Sequence, residues 1–116
     1  MNKYTIFHNP RCSKSRQTLQ ILKDNECDTK IILYLKTAID QSVLESIIKK
    51  LSLSPRELLR KGEQEFKDND LKNKNLSDQE IIEVMVKHPK VIERPIVVKG
   101  DKAILGRPPE NVLELI

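Results

Sequence analysis

The chain has no tryptophan, and only two phenylalanines and two tyrosines in 116 residues. Aromatic side chains therefore cannot supply its core, and branched aliphatics must. Two cysteines are too few for the disulfide framework that staples small secreted domains. No apolar run approaches the ~20 residues of a membrane span, and Met1-Asn2-Lys3-Tyr4-Thr5-Ile6-Phe7 carries no apolar signal segment. The expectation is a cytoplasmic protein in a reducing compartment, without a membrane partner. Charge of one sign is also missing in quantity: 21 basic against 17 acidic residues leave a net +4, interspersed along the chain. That excess suits an anionic small molecule and is too mild to argue for nucleic acid. Metal-ligand spacing is absent, since the histidines, His8 and His88, stand alone and far apart.

What remains is enough for one domain, 1–116, able to bury roughly 60–70% of its unfolded surface. Tyr4-Thr5-Ile6-Phe7 is a strand by propensity, broken by His8-Asn9-Pro10. Ser13 to Lys23 reads as an amphipathic helix on Leu19, Ile21 and Leu22, and Lys30 to Leu35 as a strand covered on both faces. Strand, helix, strand in so short a span is a βαβ unit. Residues ~38–88 change character to a helical insertion. Asp40 caps a helix through Leu51, Ser54-Pro55 opens another over Arg56 to Lys61, and 61–75 is polar, loosely held helix or loop. Ser77-Asp78-Gln79-Glu80 is a capping-box start, and His88-Pro89 a stop at which an imidazolium would favour the helix dipole. Strands return at Pro95–Val98 and Ala103–Leu105 about a Gly100-Asp101 turn, and Pro108-Pro109 opens a last short helix. The order β-α-β, helices, β-β-α is an α/β, thioredoxin-like (glutaredoxin-like) arrangement, with the insertion between an N-terminal βαβ unit and a C-terminal ββα unit.

Cys12 is the strongest candidate for chemistry. It falls between the first strand and the first helix, where free backbone N–H groups and the helix dipole favour an anion. Arg11 and Lys14 flank it and Arg16 follows one turn on. Such surroundings lower a thiol pKa from ~8.5 into the range ~3.5–7.5. His8, at the strand end, can add a second positive charge or a hydrogen bond. The segment Cys12-Ser13-Lys14-Ser15 puts a hydroxyl where Cys-x-x-Cys enzymes keep their second thiol. Cys12 therefore has no local resolving partner and needs an outside thiol. Cys27 has no basic neighbour or motif and reads as a small apolar residue. Arg60, Arg94 and Arg107 each fall at an element terminus, where a binding site can be assembled. Arg94-Pro95 opens an apolar strand, the place where this fold keeps a cis-proline facing its cysteine.

Four blocks in order along the chain carry a family resemblance: His8-Asn9-Pro10-Arg11-Cys12-Ser13-Lys14-Ser15-Arg16, Arg56-Glu57-Leu58-Leu59-Arg60, Glu93-Arg94-Pro95-Ile96-Val97-Val98 and Gly106-Arg107-Pro108-Pro109. The chain resembles the glutathione/glutaredoxin-coupled arsenate reductases (the ArsC family, with its Spx-like relatives), and most closely the short, chromosomally encoded ones. The resemblance implies that Cys12 attacks arsenate to form a cysteinyl-thioarsenate and that His8 tunes the thiol. It implies that Arg60, Arg94 and Arg107 hold the oxyanion, with Asn9, Arg11, Ser15, Arg16 and Pro95 in support. Glutathione as co-substrate and glutaredoxin as partner would then supply electrons and release arsenite, with no bound cofactor or metal. A monomer is the simplest expectation. A glutathione-dependent thiol oxidoreductase with another substrate, or an Spx-like regulator binding RNA polymerase, are the alternatives. The regulator typically carries Cys-x-x-Cys, which Ser15 breaks.

Overall fold

The β-branched and aromatic run at the N-terminus forms β1 (Lys3–Phe7) in a computed structural model that describes residues 3–116. The chain divides into two compact units, the first ending at Thr37 and resuming as Arg94–Ile116, the second Ala38–Glu93. In the first unit, α1 (Ser13–Asp24) connects β1 to β2 (Asp28–Ile32), which pairs with β1 in parallel. β3 (Ile96–Lys99) lies antiparallel on the other side of β1, and β4 (Lys102–Leu105) pairs antiparallel with β3. The sheet order β2-β1-β3-β4 is that of a thioredoxin-like fold. Gly100, at φ +61°, makes the turn between β3 and β4 in the left-handed region that glycine adopts without steric cost.

Period-two alternation puts Tyr4 and Ile6 of β1 and Val97 of β3 on one face. They bury against Leu19 and Leu22 of α1 and against Val112 and Leu115 of the C-terminal 3-10 helix, Pro109–Leu115. The Tyr4 hydroxyl donates to the Leu115 carbonyl at 3.1 Å, satisfying the one polar atom this core would strand.

The strand after α1 differs from expectation. β2 begins at Asp28 rather than Lys30 and ends at Ile32, and it is an edge strand bonded only to β1. Ile31 is 45% exposed, so the apolar run does not mark a strand covered on both faces. Its later members, Leu33 to Leu35, lie in the turn that follows.

The second unit is helical. α2 (Gln41–Leu51) and α4 (Asp78–Lys87) pack together through Leu44, Ile47 and Ile48 on one and Ile81, Ile82 and Met85 on the other, all buried. Each set recurs at the i, i+3, i+4 spacing of an amphipathic face. Ser77 and Glu80 form the expected capping box at α4. Ser54 and Glu57 form a second one at the 3-10 helix Pro55–Leu58, which is shorter and tighter than the helix to Lys61 that the sequence suggests. α3 (Gln64–Asp68) is a single short helix, and a 3-10 turn (Pro89–Val91) follows α4. Leu59 and Ile92 make an isolated antiparallel bridge. Among the described residues no helix is long and apolar enough to cross a membrane.

Candidate functional site

Beyond Phe7 the chain leaves β1 without leaving the sheet at once, because the His8 N–H still donates to the Ile32 carbonyl at 2.9 Å. Asn9 then closes a tight turn. Its side-chain oxygen accepts the Arg11 N–H at 3.0 Å and its carbonyl accepts the Cys12 N–H at 3.0 Å. That turn delivers Cys12 to the N-cap of α1 in extended conformation, a position where a side chain ordinarily accepts the free N–H groups of the first turn. The sulfur makes no capping hydrogen bond of standard geometry, yet the Ser15 and Lys14 N–H groups lie near enough to stabilise a thiolate.

Burial pushes the Cys12 thiol up and is the largest single influence on it. The Ser15 N–H, the Arg94 guanidinium (by hydrogen bond and by charge) and the Lys14 N–H together outweigh it and hold the thiol below its ordinary value. The source of the effect differs from the sequence reading. Arg11, Lys14 and Arg16 have exposed side chains; Lys14 acts through its backbone, and Arg16 Nη1 donates to the Pro10 carbonyl at 2.8 Å, bracing the turn. The guanidinium at the sulfur comes from Arg94, far along the sequence.

Ser15 is fully buried and occupies the place of a resolving thiol. Its oxygen accepts the Asn9 N–H at 3.0 Å and lies 2.6 Å from His8 Nδ1. The Ser15 hydroxyl thereby links the imidazole to the turn through a short hydrogen bond that either ring tautomer can make. Burial, followed by the positive charges of Lys23 and Arg16, holds His8 below the ordinary imidazole value. Its cationic form is thus disfavoured, and His8 is joined to the Cys12 turn through Ser15. Asn9, also buried, is the hinge of that turn.

Across the sheet, the Arg94–Pro95 peptide is cis, as is Arg107–Pro108. The segment that carries both arginines is tied to itself: the Gly106 N–H donates to the Pro95 carbonyl at 2.9 Å, and Arg107 Nη1 to the Arg94 carbonyl at 3.4 Å. It is also seated on α1. An added Cβ on Gly106 would meet Thr18 Oγ1 at 2.5 Å, Pro95 Cγ at 2.8 Å and Thr18 Cγ2 at 3.0 Å. Thr18, fully buried, donates to the Lys14 carbonyl at 2.8 Å. Thr18 and Gly106 thus set how closely the arginine-bearing loop approaches the start of α1. Neither is among the site residues expected from the sequence, although a threonine among the apolar positions of a helix and the glycine that opens the block before Arg107 are the available signals.

Arg60 belongs to the second unit and does not end a helix. It follows the bridge residue Leu59, with its N–H on the Val91 carbonyl at 2.7 Å. Its guanidinium pairs with Glu63 at 3.0 Å and Glu93 at 3.3 Å. Burial lowers its pKa, but the bonds to both carboxylates prevail and raise it. Cys27, beyond α1, is partly buried against the first unit's core, its sulfur 3.8 Å from the Asn25 carbonyl. His88 is the C-cap of α4. No three His, Cys, Asp or Glu among the described residues are grouped to hold a metal ion.

The pattern that defines the ArsC family matches residues 7–115. The chain is 48% identical to the Escherichia coli (strain K12) protein YfgD, described as uncharacterized, over 96% of this chain and 94% of that one. It is 44% identical to an arsenate reductase of Haemophilus influenzae, over 96% and 97% of the respective chains. Among solved structures, an arsenate reductase from Vibrio cholerae superposes with a TM-score of 0.95 at 41% identity, covering 98% of each chain.

Proposed function

Because this chain belongs to the ArsC family, we propose that it is an arsenate reductase with Cys12 as its nucleophile. The observation that carries the reading is the environment of the Cys12 sulfur, in which the Ser15 and Lys14 N–H groups and the Arg94 guanidinium together hold the thiol below its ordinary value. A thiolate and an oxyanion repel each other by about 4 kcal/mol per unit charge pair at ~4 Å and an effective dielectric of ~20. An exposed helix N-terminus returns only about 0.3–1 kcal/mol of that. A guanidinium at the sulfur supplies more, and its fork can also hold two oxygens of the incoming anion.

In the proposed reaction the Cys12 thiolate attacks arsenic, an oxygen leaves as water, and a cysteinyl-thioarsenate forms. Two thiols from outside the chain then give up two electrons, closing a disulfide between themselves and releasing arsenite. Glutathione and glutaredoxin are the proposed donors. An external donor is needed because Ser15, fixed between His8 and the Asn9 N–H, cannot act as a resolving thiol. Arg94 and Arg107 are the proposed oxyanion ligands of the first unit. Arg60 enters through the family resemblance alone, and its guanidinium already holds two carboxylates.

Arsenite release from arsenate with glutathione and glutaredoxin, compared between wild type and Cys12→Ser, tests the reading. Release that depends on Cys12 supports it. Turnover unchanged in Cys12→Ser, or no arsenite above the enzyme-free rate with wild type, rejects it.

A further inference from the structure

The second unit holds a cavity of about 710 Å³ that plays no part in the proposed chemistry. Its floor is apolar (Leu59, Phe66 and Leu71) and its rim carries Lys61, Lys67, Lys72 and Lys74, with Asp70 as the one acid lining it. The surrounding sequence is close to charge-balanced, so the fold itself separates the signs. Glu63 is held by Arg60, Glu57 by the Ser54 capping box, and Asp68 by the Gln64 amide. None of the four rim lysines takes part in an ion pair among the described residues.

The walls are preformed. Arg56 donates to the Leu71 carbonyl at 2.9 Å and to the Asn73 carbonyl at 3.0 Å, strutting the loop after α3 against the 3-10 helix Pro55–Leu58. The Leu71 N–H on the Phe66 carbonyl and the Asn73 N–H on the Asp70 carbonyl fix the same loop. A preformed concavity with an apolar base and convergent polar groups is the usual form of a binding site.

We propose that this cavity docks an acidic segment of a partner protein, one with several Asp or Glu side chains about a single aliphatic residue. Leu71 is 0% exposed, Leu59 5% and Phe66 9%, so the floor offers little area to a small apolar ligand and recognition falls to the rim. Lysines are flexible point charges without the fork geometry that orients a single carboxylate. Spaced around an apolar base, they match an extended chain of separated negative charges. Such complementarity mainly governs encounter rate and partner choice, and it weakens with salt.

The test is a titration of the isotope-labelled full chain, followed by backbone amide resonances. The probe is a synthetic peptide of Asp and Glu on both sides of a central Leu. Amide shifts confined to 56–74 are expected, with binding at least about tenfold weaker at 0.5 M than at 0.05 M salt. Lys72→Glu with Lys74→Glu should abolish it, while Lys72→Arg with Lys74→Arg keeps it and shows that charge is what matters. The Asn/Gln analogue of the peptide should not bind. The proposal is overturned if the peptide leaves 56–74 unshifted or shifts mainly residues 8–16. It is equally overturned if the Glu variants bind like wild type, or if inorganic phosphate at equal concentration gives the same shifts, marking a small-anion site. Lysine-dependent binding to phosphatidylserine vesicles without peptide binding would assign the surface to a membrane instead.

Discussion

Replacing Gly106 with alanine asks one methyl group to occupy space that Thr18 and Pro95 already fill. The added carbon would lie 2.5 Å from Thr18 Oγ1 and 2.8 Å from Pro95 Cγ, against about 3.5–4.0 Å for a relaxed carbon contact. Neither neighbour gives way cheaply. Thr18 is fully buried and its hydroxyl is committed to the Lys14 carbonyl, while β-branching restricts its rotamers. The ring of Pro95 is rigid. The Gly106–Arg107 backbone must therefore lift off α1, at an overpacking cost of about 1–3 kcal/mol. Stretching the Gly106 N–H bond to the Pro95 carbonyl adds about 0.5–1.5 kcal/mol. For a chain of this size the sum lowers Tm by on the order of 10 °C.

Thermal and urea unfolding of Gly106→Ala, Thr18→Ala and the double variant measure this directly. Thr18→Ala removes two of the three clashing atoms and leaves Pro95 Cγ. The double variant should thus be more stable than the sum of the singles by on the order of 1 kcal/mol. Because the crowded Pro95 follows Arg94 directly and Arg107 Nη1 bonds the Arg94 carbonyl, the strain also reaches Arg94, and the midpoint of Cys12 alkylation against pH should rise in Gly106→Ala and fall part of the way back in the double variant. A Gly106→Ala protein within about 0.5 kcal/mol of wild type, or strictly additive singles, refutes the packing argument.

Three further outcomes are expected. Alkylation of each cysteine against pH, read by mass spectrometry, should place Cys12 below an ordinary thiol, and Arg94→Gln should raise it, since the guanidinium lowers the thiol by hydrogen bond and charge. His8 is held below its unfolded value of 6.5, so between the two values the unfolded chain binds more protons and stability falls as pH drops from 6.5 toward the folded value; urea midpoints across that window should flatten in His8→Gln. Ser15→Ala strips a partner from the buried Asn9 N–H and should cost about 1–3 kcal/mol by urea unfolding, with Ser15→Thr tested for partial rescue of the midpoint.

Much of the fold is legible in the chain because local rules and tertiary packing agree there. The apolar positions of α2 and α4 recur at helical spacing and are the ones buried. Ser77 to Glu80 is a capping box both as a pattern and as hydrogen bonds, and Gly100-Asp101 turns β3 into β4. Misreading begins where a local signal has no single tertiary meaning. The Lys30 to Leu35 run fits a central strand, but only neighbours distant in sequence decide whether a strand lies inside or at the edge. Residues 61–75 look loosely held because part of what fixes them, the Arg56 guanidinium on the Leu71 and Asn73 carbonyls, lies outside the segment.

The candidate site divides along the same line. Cys12 is readable from its place between a strand and a helix, since the N-terminal N–H groups of a helix are local and obligatory. The basic residues around it in sequence mislead, because adjacency in the chain does not aim a side chain: Arg11, Lys14 and Arg16 face solvent. The cation that reaches the sulfur is Arg94, brought there by the pairing of β3 with β1. Ser15 shows the converse. As a pattern it is a missing thiol, and in the fold it is the strut between His8 and the turn. A hydroxyl there bonds both His8 and the Asn9 N–H and so holds the loop that presents Cys12. The same Ser15 that offers Cys12 no neighbouring thiol therefore also braces the turn that presents the sulfur.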